Sequence, residues 1–306
     1  MAEASLKPLA GSRPEPSAVL ELLKPITWFA PMWAFACGAV SAGVSLDGRW
    51  LAIAAGIVLA GPLVCGTSQA VNDWFDRHVD ALNEPGRPIP SGRIPGRWGL
   101  HIAVAWTALS AAFALLLGSL VLVAAVVGLA LAWAYSAPPL RLKQDGWWGN
   151  AAVAACYEGL PWFTGAALAL GGMPSGEILM LAALYSAGAH GIMTLNDFKS
   201  IDGDRRMGIR SLPARLGPER AARLACWVMA LPQIAVILLL MHWGAGVHAA
   251  LVAGLLAVQL ALMQRLLEDP RARAPWYNAT GTTLYVLGMM VSAVAVAGLA
   301  GSGGGA

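Results

Sequence analysis

Apolar residues along this 306-residue chain fall into long runs divided by short polar stretches. A helix that crosses a bilayer needs about 20 mostly apolar residues. Nine runs meet that need: 25–45, 50–71, 99–117, 119–137, 149–170, 176–195, 221–243, 246–265 and 277–299. The third and fourth are joined tightly at Gly118. The pattern predicts an all-α, polytopic membrane protein. Residues 1–20 are polar, contain Pro and Ser, and lack the apolar core of a cleavable signal. They read as a retained N-terminal tail, 21–299 as one membrane domain, and 300–306 as a short C-terminal tail.

Composition agrees. Hydrophobic residues make up 58% and charged residues 12%, against about 25% charged in soluble domains. So few charges could not solvate the surface of a soluble protein of this length. The basic residues then set the orientation, because Lys and Arg favour cytoplasmic loops. With nine spans and the N-terminus inside, 19 of the 20 fall on the cytoplasmic side, and Arg49 alone falls outside. The C-terminal GSGGGA is then periplasmic. The net charge of +3 comes from these inner loops and fits anionic lipid rather than nucleic acid. Cys37, Cys65, Cys156 and Cys226 lie in the runs without metal-type spacing and read as apolar thiols.

Two inner loops carry the unusual chemistry. The first reads NDWFDRHVDALNEPGRPIPSGRIPGR from Asn72 to Arg97, and the second NDFKSIDGDRRMGIRSLPARLG from Asn196 to Gly217. Each begins Asn-Asp, has an Asp eight residues after the Asn (Asp80, Asp204), and continues to Arg-x-x-Pro at Arg87 and Arg210. The loops lie four spans apart, so both reach the same face. The chain therefore reads as two parallel four-helix repeats plus a ninth helix.

Helical spacing explains the acids. If the second span continues inward, Asp73, Asp76 and Asp80 stand at i, i+3 and i+7 on one face. In the second loop Asp197 and Asp204 share a face at i and i+7, and Asp202 joins them only through a local unwinding. Carboxylates so close repel unless a cation lies between them. Oxygen-only ligands suit Mg²⁺, which takes one or two carboxylates and completes its shell with substrate phosphate and water. Asn72 and Asn196 offer amide oxygens. Arg77, Arg87, Lys199, Arg205 and Arg210 are interleaved with the acids, and arginine grips phosphate in bidentate fashion. Acids for a metal and bases for an anion make a metal–diphosphate site. The alternative for either loop alone is a solvated surface whose charges pair weakly. The prolines and glycines of 72–98 and the matching segment 196–220 are compatible with a cap over the site or with plain connections.

Polar groups inside the spans have two readings each. Glu158 either hydrogen-bonds a substrate or holds a neighbouring helix. His190 either ligates a metal of the substrate or is packed on a backbone carbonyl. Gln69 either lines a cavity or bonds between helices, and Tyr157 either faces substrate or packs. Parallel repeats also build transporters, whose charges lie near the bilayer midplane. A structural pigment-binding protein would need metal ligands within the spans and no doubled Asp motif.

The two loops resemble the first and second aspartate-rich motifs of the UbiA superfamily of intramembrane prenyltransferases. LKPITWFAPMWAFACG, EPGRPIPSGRIPGRWGL, CYEGLPWFTGA and GAHGIMTLNDFKSIDGDRRMGIRSLP are similar to its (bacterio)chlorophyll synthase branch. The resemblance runs from about residue 20 to 295. It implies nine helices around a central cavity and Mg²⁺-dependent transfer of a geranylgeranyl or phytyl group from its diphosphate. The implied acceptors are bacteriochlorophyllide or chlorophyllide, with a quinone precursor or haem elsewhere in the superfamily. It further implies a photosynthetic bacterial inner membrane and pigment–protein assembly partners. By position, Asn72, Asp73, Asp76, Asp80, Asp197, Asp202 and Asp204 would bind Mg²⁺ and diphosphate, with Arg77, Lys199 and Arg205 as basic partners. Many relatives carry an acid where this chain has Ser200.

Overall fold

The computed structural model describes residues 13–45 and 47–302. Most of the predicted N-terminal tail and the end of the C-terminal tail lie outside these residues. Helix α1 (Pro16–Leu22) leads through a left-handed Lys24 and a 3₁₀ turn (Pro25–Thr27) into α2 (Phe29–Ser41). Next, α3 (Trp50–Val58), a π-helical stretch (Leu59–Cys65) and α4 (Gly66–Asn83) run on as one 34-residue helix. α5 (Trp98–Leu117) and α6 (Ser119–Ser136) reverse at Gly118, whose φ of 129° a side chain would resist. α7 (Gly146–Ala154), a second π-helical stretch (Ala155–Gly159) and α8 (Leu160–Leu170) follow. α9 (Gly176–Asn196) tightens into a 3₁₀ turn (Asp197–Ser200) and α10 (Ile201–Met207). α11 (Leu212–Leu216), α12 (Pro218–His242), α13 (Gly246–Glu268) and α14 (Pro270–Ser302) complete the chain.

The architecture is all-helical, with no strand among the described residues. Among the described residues, seven helices are long and apolar enough to cross a membrane. They match seven of the nine expected runs. The other two correspond to α2, which has 13 residues, and to the π-interrupted segment 146–170. Both π-helical stretches have a local cause. Pro62 lies inside the first, and Pro161 follows the second. Proline brings no N–H for the carbonyl four residues back, and a wider turn accommodates the loss.

Close approach of small residues holds the bundle together, as expected where lipid gives no hydrophobic drive between helices. A Cβ on Gly38 of α2 would lie 1.9 Å from the Trp162 carbonyl oxygen of α8. One on Gly165 would lie 2.0 Å from that of Phe35. The indole of Trp162 donates to Ser41 at 3.2 Å across the same seam. In the other half Gln233 of α12 and Gln259 of α13, both fully buried, exchange hydrogen bonds at 3.2 and 2.9 Å.

A smaller core orders the first inner loop. Ala18, Leu22 and Leu23 of α1 and its flank pack with Trp74, Ile89 and Ile94. Arg93 donates to both carboxylate oxygens of Glu21 at 2.6 and 3.0 Å. That hydrogen bond holds the Glu21 carboxyl below the usual range. The segment after α4 is therefore a fixed structure clamped by the N-terminal helix.

Candidate active site

The first motif forms as its spacing predicts. Asp73, Asp76 and Asp80 lie on α4, which carries on past the apolar stretch to Asn83. Asp73 and Asp80 are buried. Each acid meets a basic group from another segment. Lys24 Nζ donates to Asp73 at 2.7 Å. Arg87 donates to Asp80 at 2.9 Å and to Asp73 at 3.4 Å. Lys143 donates to Asp76 at 2.5 Å, with Arg141 3.5 Å away. Asn72 donates to Asp76 at 3.1 Å and to Ser136 at 3.4 Å. One oxygen of Asp73, Oδ2, is buried and has no partner. Burial pushes the Lys143 ammonium below the usual lysine range, against the opposing pull of Asp76.

Two of these bases sit on an unusual backbone. Lys24 (φ 48°) and Arg141 (φ 41°) are the non-glycine residues at positive φ among those described. Such a conformation costs roughly 1–2 kcal/mol. Both side chains reach the first acid cluster, so local strain accompanies the delivery of positive charge to it.

The second motif is less regular than the i, i+7 reading. The 3₁₀ turn after α9 separates Asp197 from the α10 helix that carries Asp204. Asp197 accepts from Asn150 of α7 at 3.2 Å. Asp204 is buried and accepts from Ser211 at 2.6 Å and Ser200 at 3.1 Å. Ser200 is thus a hydrogen-bond partner of Asp204. Asp202 points the other way. It is half exposed and pairs with Arg271 at the start of α14, so no unwinding brings it toward Asp197 and Asp204.

The two motifs meet at one end of the bundle through the segment 137–145. Its Lys143 and Arg141 reach Asp76. Its Asp145 caps α7 and pairs with Arg210 and Arg215 from the second loop at 3.5 and 3.4 Å. The backbone joins the same segments, through Gly146 N–H to Arg210 O at 3.0 Å and Arg210 N–H to Gln144 O at 2.9 Å. Tyr135, at the end of α6, lies within electrostatic reach of Asp76, Asp197 and Asp204.

Other expected residues fall in varied places. Arg77 turns onto its own helix, donating to the Trp74 carbonyl at 2.6 Å and stacking over that indole. Lys199 and Asn196 are exposed beside Asp197, and Arg205 donates to the Ala214 carbonyl at 3.4 Å. Gln69 donates to the Tyr157 hydroxyl at 3.1 Å. His190 Nε2 lies 3.1 Å from the Trp147 carbonyl. Glu158 is buried, with Oε2 unpartnered. Sequence reading passed over Lys24, Lys143, Asn150 and Ser211. The LKP and RLK segments flanking the spans were the available signal, but only the fold brings them to the acids.

Among the described residues, no three of His, Cys, Asp or Glu converge closely enough to hold a metal ion alone. A cation here must complete its shell with oxygens from a bound anion or water, which is the habit of Mg²⁺. The arrangement can pair two acid groups with at least four bases, and so can receive a metal and a polyanion together.

Comparison with known proteins gives a consistent picture. Residues 28–288 match the model of the UbiA prenyltransferase family. The chain is 61% identical to the bacteriochlorophyll synthase 33 kDa chain of Cereibacter sphaeroides, covering 94% of this chain and 95% of that one. It is 38% identical to the chloroplastic chlorophyll synthase of Oryza sativa, over 90% of this chain and 76% of the relative. A UbiA homologue from Archaeoglobus fulgidus bound to GPP and Mg²⁺ has the same fold, with a TM-score of 0.70 and 19% identity, over 91% of this chain and 99% of that one. The chain belongs to the UbiA prenyltransferase family and is an integral membrane prenyltransferase.

Proposed function

We propose that this chain transfers a geranylgeranyl or phytyl group from its diphosphate to the propionate carboxylate of bacteriochlorophyllide, the step that completes bacteriochlorophyll. The identity of 61% along nearly the whole length of a bacteriochlorophyll synthase carries the choice of acceptor. The two acid clusters and their exchangeable bases support the choice of donor.

The residues fit Mg²⁺. Asp73 presents an unpartnered buried oxygen, and Asp76, Asp80, Asp197 and Asp204 stand at the same end of the helices. Bound there, Mg²⁺ would neutralise charge on the diphosphate as a Lewis acid. Lys24, Arg87 and Lys143, which now neutralise the carboxylates, are the groups that would pass to phosphate oxygens. Asn150, Ser200 and Ser211 hold Asp197 and Asp204 in place. The donor's C–O bond breaks with its electron pair leaving on the diphosphate, and a propionate oxygen forms the new C–O bond. That carboxylate is already ionised near pH 7, so no side chain need act as a strong base. The apolar helix walls keep water from competing for the allylic carbon.

In this reading α2 and the segment 146–170 also cross the bilayer, making nine helices in two parallel sets of four plus α14. Residues 21–299 form one domain in a bacterial inner membrane, N-terminus in the cytoplasm, with 72–98 and 196–220 as caps. Incubating the purified protein with Mg²⁺, geranylgeranyl or phytyl diphosphate and a panel of acceptors tests it. Prenyl ester from bacteriochlorophyllide, lost with EDTA and restored by Mg²⁺, is expected. Ester formed only from chlorophyllide, or product only from a quinone precursor, would overturn the acceptor.

A further inference from the structure

Two cavities lie between the helices, and they differ in how many unpartnered buried oxygens line them. The larger, about 700 Å³, runs between α7, α8 and α9; alanines, Gly159, Leu160, Phe163 and Leu179 form most of its wall, and Ser186 and His190 are its polar groups. The smaller, about 280 Å³, lies between α2, the second π-helical stretch, α9 and α14. Glu158, Asn278 and Thr282 line it. Each has a buried oxygen without a hydrogen-bond partner: Glu158 Oε2, Asn278 Oδ1 and Thr282 Oγ1. Glu158 itself is only 5% exposed.

We propose that the smaller cavity is where the acceptor is recognised: Glu158, Asn278 and Thr282 hydrogen-bond oxygen substituents on the acceptor's ring, while the larger cavity takes the donor's hydrocarbon chain. The proposal rests on the reading above that the acceptor is a ring compound bearing carbonyl groups.

Three observations carry it. The first is the state of Thr282. Thr280 and Thr283 on the same helix donate to the carbonyls four residues back, at 2.9 and 3.0 Å, the usual resting place for a helical threonine. Thr282 does not, so its hydroxyl is left to the cavity. The second is cost. Unpaired polar atoms buried among apolar helices are destabilising, and three on one small cavity call for a ligand that satisfies them. A prenyl chain has no polar atom to offer, whereas a ring with carbonyl substituents does. The third is position. Met193, on the cavity wall, is one helical turn before Asp197. Tyr157, also on the wall, bonds Gln69, one turn before Asp73. A ring edge seated here lies one turn from both clusters, where the allylic carbon is released. Phe29, Ala279 and Thr283 at the rim are exposed, so the mouth faces the bilayer in which such an acceptor dissolves. A cavity this small takes one edge of the ring and leaves the rest toward the lipid.

The test uses Thr282→Val, nearly unchanged in shape, and Glu158→Gln, each in the full-length protein in detergent or nanodiscs. Steady-state kinetics with both substrates varied should show acceptor KM raised about tenfold and donor KM changed less than twofold. Fluorescence titration with bacteriochlorophyllide, without donor, should show the same loss of affinity. A rise in donor KM with acceptor KM unchanged would assign the cavity to the prenyl chain and overturn the proposal. So would unchanged acceptor affinity in a folded Thr282→Val protein. If the wild-type protein prenylates no tetrapyrrole, the functional reading fails instead, and the two failures are told apart by that control.

Discussion

Lys143 is where burial and charge bear most directly on activity. Its ammonium is desolvated and rests on Asp76. A charge-assisted hydrogen bond contributes about 1.5–3 kcal/mol. Lys143→Ala should therefore raise donor KM by roughly 10- to 100-fold, measured by steady-state kinetics. Burial also predicts a pH limb. A lysine whose pKa is lowered loses its proton at a pH where ordinary lysines keep theirs. Donor affinity should thus begin to fall on the alkaline side before lysine's normal titration, and Lys143→Arg should remove that fall. An identical alkaline profile in the Arg variant would rule out Lys143 as its source. Asp202 gives the opposite expectation. Its partner Arg271 is half exposed, and such pairs are worth about 0–1 kcal/mol. Asp202→Asn should change turnover by less than about fivefold, whereas Asp204→Asn, buried between Ser200 and Ser211, should abolish it. Equal losses in both would place Asp202 back among the metal ligands.

The helices show which features are legible in the sequence alone. Asp73, Asp76 and Asp80 were readable because an α-helix imposes its own period, and α4 keeps that period through the motif. Asp197 and Asp204 were only half readable. The 3₁₀ turn between them breaks the α-helical period, and their partners Asn150 and Ser211 come from outside the turn. Lys24 and Lys143 were hidden because pairing across 49 and 67 residues of chain leaves no trace in spacing. The seam between α2 and α8 was also silent, since Gly38 and Gly165 look like any helical glycines until the backbones meet. A methyl group there has no room, with carbonyl oxygens near 2 Å. Gly165→Ala should lower the thermal midpoint in detergent by at least several degrees, as overpacking costs about 1–3 kcal/mol. Gly254→Ala, where nothing lies within 4 Å, should be neutral. A Gly165→Ala protein as stable as its parent would mean that the two helices separate more easily than their packing indicates.

At the scale of the whole molecule, the acid clusters need both motifs at one membrane face, and that depends on how many helices cross. α2 is 13 residues long, about 20 Å at 1.5 Å per residue, against a hydrocarbon core of about 30 Å. With the preceding 3₁₀ turn and Trp28 it approaches that thickness, and segment 146–170 exceeds it. If both cross, the turns at 43–45 and 47–49, 118, 171–175 and 243–245 share one face, and 84–97, 137–145 and 197–217 share the other. If 146–170 did not cross, 137–145 and 171–175 would lie on the same side. Lys143 and the second motif could then not both be cytoplasmic. Single cysteines introduced at Ser45, Ser119, Gly172 and Gly246 should react with a membrane-impermeant thiol reagent added to intact cells. Those at Ser91, Gln144 and Arg206 should react only after lysis. The native cysteines, three buried and one partly so, should give little background. Labelling of Gln144→Cys and Gly172→Cys from the same side would remove one crossing and reopen the whole arrangement. The expected split would instead bring the acids of both motifs, the bases from three separate loops and the mouths of both cavities into one frame. A charged diphosphate would then bind at the cytoplasmic face while the acceptor reached it from within the bilayer.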